Sequence, residues 1–139
     1  MHGLFRKISI TIAASALLTI SATSSAQLKK GWDKSSVDKL AKSCTSQIMQ
    51  GAKQGYYEKA RKAGNSNPKP FPEKQLKESF AGMCKCMSNK AANTWEFNDF
   101  KANANTYFKQ LIQPAMNGGE CKPTGLVGKA IKKAKESKK

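Results

Sequence analysis

The sequence predicts an all-α fold: a small three-helix bundle stapled by two disulfides, with a basic C-terminal tail able to add a short fourth helix. Three observations predict it. Apolar residues recur at three- and four-residue spacing in three stretches beyond residue 35, the repeat of one helix face. No run of alternating β-branched residues is long enough for a strand. Four cysteines follow an export-type N-terminus, and an even cysteine set in an exported chain reads as a disulfide framework.

The N-terminus supplies the compartment. Arg6 and Lys7 precede an apolar or small run from Ile8 to Ile20, and Ser24-Ser25-Ala26 places small residues where a signal peptidase cuts. The apolar run is shorter than the roughly 20 residues of a transmembrane helix. Residues 1–26 are therefore expected as a cleaved signal peptide, with Gln27 the first mature residue and no transmembrane span left after cleavage. The expected location is periplasmic or secreted. Residues 27–35 are expected as a loose lead-in, 36–121 as the helical disulfide domain and 122–139 as a Lys-rich tail.

Helix one is expected from Ser36 to Ala63. Ser35 and Ser36 offer a hydroxyl cap, Asp38 complements the helix dipole, and Val37, Leu40, Ala41, Cys44, Ile48 and Ala52 share a face. Gly51 and Gly55 mark a place for a kink before Tyr56-Tyr57, and Gly64 suits the C-terminal cap. Pro68, Pro70 and Pro72 hold the next segment extended. Helix two then carries Leu76, Phe80, Met83, Met87 and Ala91 to about Asn93. Helix three follows Trp95 and Phe97 with Asn98 as a candidate cap. Its face is Phe100, Ala104, Tyr107, Phe108 and Leu111, Pro114 ends or kinks it, and Asn117-Gly118-Gly119 makes a turn.

Cys84 and Cys86 stand two residues apart on helix two, so their side chains diverge by about 200° and cannot join without unwinding a turn. Cys84 lies on one flank of the apolar stripe and Cys86 on the other. One bond is then expected to reach Cys44 and the other Cys121; which thiol takes which partner stays open. Two sharper chemistries compete. Met83, Cys84, Cys86 and Met87 offer four sulfurs that could hold Cu(I) if the thiols were free, and Lys85 could lower a thiol pKa in a redox pair. Neither explains a further cysteine one helix away on each side. The Met stripe itself reads as core packing.

One cysteine in a first helix, Cys84-x-Cys86 in a second and Cys121 after a third, behind an export signal, resembles a group of small exported four-cysteine helical proteins of Gram-negative bacteria, many of them uncharacterised. The resemblance spans Ser36 to Cys121 and implies no activity.

Composition narrows the function. The only histidine, His2, precedes the expected cleavage site, so no Ser-His-Asp triad, Cys-His pair or histidine metal site is expected. Glu96 and Asp99 could form an acid pair, but two acids at a helix start equally complement its dipole. The expectation is no enzyme and no cofactor. Lys+Arg number 25 against 9 Asp+Glu, a net +16, of which the signal segment carries only Arg6 and Lys7. That balance favours acidic partners. Beyond residue 26 only Arg61 is an arginine, so the bidentate fork for reading bases is scarce and no sequence-specific nucleic acid is expected. The expected partner is an acidic protein, as for an inhibitor, immunity protein or chaperone. The alternative is an envelope-associated structural or membrane-active protein working through its tail, where Lys129, Lys132, Lys133 and Lys135 face an anionic surface.

Overall fold

A computed structural model describes residues 27–138. The signal-peptide expectation, residues 1–26, lies outside them. Five helices follow one another: α1 (Lys34–Lys62), α2 (Glu73–Thr94), α3 (Phe97–Ala102), α4 (Ala104–Met116) and α5 (Gly125–Glu136). Among the described residues there is no strand.

α1 starts two residues earlier than the serines suggest. Asp33 is the cap: its carboxylate accepts from the Ser36 amide at 2.6 Å, and the Ser36 hydroxyl accepts from the Asp33 amide at 2.9 Å. This reciprocal box satisfies two donors at the helix start, and the Ser36 amide and then its hydroxyl, each able to donate to Asp33 Oδ1, hold the Asp33 carboxyl below its usual range. The helix runs unbroken through Gly51 and Gly55. It ends as expected at Gly64 (φ +74°), where the Gly64 amide donates to Arg61 O and Asn65 to Ala60 O. α4 ends the same way at Gly118 (φ +76°), with Gly118 donating to Ala115 O and Gly119 to Pro114 O. In both, glycine takes the left-handed conformation that this double hydrogen bond requires.

α2 is the centre of the molecule. α1 packs along one side of it, and α5 and α4 pack elsewhere on it. Its buried face carries Ser79, Phe80, Met83, Cys84, Met87, Ser88, Ala91 and Ala92, joined by Val37 and Cys44 from α1, Phe100 from α3 and Leu111 and Ala115 from α4.

Three expectations are corrected. The third helix is two, because the chain breaks at Asn103, whose side-chain amide donates back to Asp99 O at 3.2 Å and Asp99 Oδ1 at 3.0 Å; α3 begins from Glu96 and not from Asn98. The lead-in is docked where a loose segment is expected. Lys29 donates to Ala92 O at 2.7 Å, Phe97 to Lys30 O at 3.0 Å, and the buried Trp32 donates through Nε1 to Trp95 O at 2.8 Å. Trp32 also meets Phe97 edge-on, with centroids 4.9 Å apart. Burying the indole against an aromatic cluster and satisfying its N–H outweighs the entropy of ordering the segment.

The tail, by contrast, forms the short additional helix the sequence allows, α5. α5 packs on α2 through Val127, and the buried Ser79 hydroxyl accepts from the Val127 amide at 3.5 Å while donating to Gln75 O at 2.9 Å. Thr124 makes no side-chain cap, so the serine of a neighbouring helix stands in for one.

Candidate functional site

The cysteines settle first. Cys44 bonds to Cys84 and Cys86 to Cys121, leaving no free cysteine among the described residues. The geometric exclusion of a Cys84–Cys86 bond holds, and the pairing left open by the sequence is now assigned. α2 is clipped to α1 on one side and to the loop after α4 on the other. With Cys84 and Cys86 oxidised, neither offers a thiolate. Met83 and Met87 are each 1 % exposed and pack in the core, so the four sulfurs do not assemble as a copper set. Among the described residues no cluster of three or more His, Cys, Asp or Glu could hold a metal ion.

The acid pair does not stand free either. Asp99 Oδ2 accepts from the Tyr107 hydroxyl at 2.9 Å and Oδ1 from Asn103, while Glu96 occupies the cap position of α3 without a side-chain hydrogen bond. Donating to the carboxylate raises the Tyr107 pKa above its usual value. This is a structural brace between α3 and α4.

Lys129, Lys132, Lys133 and Lys135 are all exposed on α5. The apolar side of α5 is turned inward: Val127 packs against the core and Ile131 lies over Gly118. Leu126, 49 % exposed, is its one large outward apolar group. Among the described residues no helix is long and apolar enough to cross a membrane.

The feature that sequence reasoning missed is a groove of about 860 Å³ between α1 and α2. α2 contributes Glu73, Lys77, Ala81 and Lys85, four residues apart and hence one ridge along the helix. α1 contributes Asp38, Ala41, Lys42, Thr45, Met49 and Lys53 among others. The floor is small or apolar: Ala41, Thr45 and Met49 are half-buried and Ala81 is exposed.

Phe71 closes one end, delivered by the proline segment. That segment is tied to α1 by Tyr56, whose hydroxyl donates to Lys69 O at 2.9 Å, and by Tyr57, whose hydroxyl accepts from the Phe71 amide at 3.4 Å. The rings of Tyr56 and Phe71 lie 5.6 Å apart. The rims hold four lysines against two carboxylates, and only Lys53 is paired there, with Glu73 at 3.5 Å. Lys42, Lys77 and Lys85 make no ion pair among the described residues. The four-residue recurrence of Glu73, Lys77, Ala81 and Lys85, with a small residue at its centre, was the available sequence signal. It was masked because the apolar stripe of α2 lies on another face.

Fold and site together define a small all-α protein, stapled by two disulfides, with a lysine-rimmed groove between its two longest helices. Comparison with protein-family models, curated proteins and solved structures returns no match to any of them.

Proposed function

We propose that the protein is a non-enzymatic, exported binding module that docks an acidic protein through its lysine-rich surface, in the periplasm or outside the cell. The observation that carries this reading is the unbalanced charge. Of 25 basic residues, in a chain of net charge +16, few are paired, with ion pairs only at Lys53–Glu73, Lys62–Glu58 and Lys90–Glu120 among the described residues. Exposed cations left unpaired raise the rate of encounter with an anionic partner and select against a cationic one. Two disulfides fit an oxidising compartment, and the N-terminal pattern supplies the route there. Binding roles such as inhibition, immunity or chaperoning need no catalytic group.

The envelope-acting alternative is the weaker fit. It needs an apolar helix face free for lipid, and the inward side of α5 is spent on α2 and on Gly118. Because α5 is docked, charge reversal tests it more cleanly than truncation. The experiment is affinity capture of an acidic protein by the oxidised chain, compared with Lys129→Glu/Lys132→Glu/Lys133→Glu. Retained capture with unchanged envelope partitioning supports the proposal. Loss of envelope partitioning, with no acidic protein recovered by either chain, rejects it in favour of the tail.

A further inference from the structure

Resting on that reading, we infer that the α1–α2 groove is the docking site and that its occupant is an acidic amphipathic helix of the partner protein. Shape, charge and the exclusion of other occupants carry this.

A cleft between two packed helices presents parallel ridges, and a third helix seats its own ridges into it. Between Asp38 and Lys53 the α1 side runs for roughly 22 Å, and between Glu73 and Lys85 the α2 side for roughly 18 Å, at 1.5 Å per residue. A helix of about 13 residues fills that length. The centre is narrow-shouldered, lined by the small side chains of Ala41, Thr45 and Ala81. A helix backbone can approach closely there, while Met49 and Phe71 offer apolar contact towards one end.

The rims dictate the sign. Lys42, Lys77 and Lys85 stand unpaired around the central and distal groove. An occupant with an apolar stripe meets the floor, and carboxylates flanking that stripe meet the lysines. Each ion pair at such a rim contributes modestly and depends on salt, so affinity rests on the stripe and orientation on the charges.

Other occupants fit less well. A second copy of this chain brings net positive charge, with its 9 acids scattered along the sequence. Residues 1–26 contain no carboxylate side chain. A flat lipid surface does not enter a concave groove, and among the groove residues Phe71 is the single aromatic available for base stacking.

The test uses a fluorescent helix-forming peptide of about 14 residues, with leucines at three- and four-residue spacing flanked by glutamates. Beside it run a scrambled peptide of identical composition, polyglutamate, single-stranded DNA and vesicles containing anionic lipid. Anisotropy is read on the oxidised full chain and on Lys77→Glu, Ala81→Gln and Lys132→Glu/Lys133→Glu. Both groove changes lie at exposed helix positions that tolerate them, with folding checked by circular dichroism. The expected result is that the striped peptide binds better than its scramble. Lys77→Glu and Ala81→Gln should each weaken it about tenfold, equivalent to about 1.4 kcal/mol, and the α5 pair less than threefold.

Equal binding of striped, scrambled and polyglutamate probes, with the α5 pair as damaging as Lys77→Glu, overturns the groove while leaving acidic-partner binding intact. Binding of vesicles or DNA and of no acidic peptide overturns both.

Discussion

The two disulfides leave α2 only two residues apart, yet they do different work. Cys44–Cys84 lies in the interior, its sulfurs carried by residues 2 % and 0 % exposed, whereas Cys86 is exposed and Cys121 half-buried. The loops closed are similar, with sequence separations of 40 and 35, so cross-linking entropy alone gives each about 4 kcal/mol. The difference is packing. The inner bond fills core volume between α1 and α2, and α1 otherwise anchors through buried Val37 and the half-buried Leu40, Ile48 and Met49. The outer bond holds a loop in place, and holds Cys121 in a left-handed conformation (φ 58°) that a non-glycine residue adopts at a cost. An interior staple therefore defines the helix pair, and a surface clip positions the loop that leads from α4 into α5.

The largest expected effect comes from breaking the interior bond. Cys44→Ala/Cys84→Ala removes the cross-link and leaves a void, a loss of more than about 4 kcal/mol. Calorimetry should show a melting temperature lower by about 15 °C or more, at roughly 4 °C per kcal/mol. Cys86→Ser/Cys121→Ser should cost less, about 2–3 kcal/mol, because no core void is left and relief of the left-handed backbone energy offsets part of the cross-link loss. If the second pair proves the more damaging, the surface clip and not the interior staple is the stronger of the two.

A smaller change sharpens the contrast. Ser79→Ala removes the hydroxyl that accepts from α5 and should lower stability by about 1 kcal/mol. Amide hydrogen exchange should then rise in residues 125–136 and stay unchanged around Cys44.

The smallest effect is at Asp33, whose folded pKa is depressed below the usual 3.8. A carboxyl that ionises more readily when folded contributes stability above about pH 4, and that contribution is lost as pH falls through the depressed value. Asp33→Asn should flatten the acid side of a melting-temperature profile by lowering the melting temperature slightly at neutral pH while leaving it little changed below the depressed value.

Much of this architecture was legible because it is local. The apolar spacing marked α1 and α2, Gly64 marked a helix end and Gly118 a turn, although α4 runs on through Pro114 to Met116 where the sequence predicts an end or kink, and side-chain divergence along a helix forbade the Cys84–Cys86 bond. The hidden parts depend on contacts between distant residues. Trp32 docks the lead-in through a hydrogen bond to Trp95, 63 residues away, and nothing near Trp32 announces it. The break at Asn103 was concealed because Phe100, Ala104, Tyr107 and Leu111 keep one period across it. The groove was hidden for a related reason: it is a property of two helices side by side, and the disulfide partner that sets their alignment was undecided from the sequence.

The central claim is the placement of one bond inside the helix pair and one on the surface, and peptide mapping of the unreduced protein tests it directly. Trypsin cuts after Lys85, between the two α2 cysteines. The expected products are peptide 43–53 joined to 78–85, and peptide 86–90 joined to the peptide containing Cys121. Recovery of 43–53 joined to 86–90, or of four alkylatable thiols, would contradict the account.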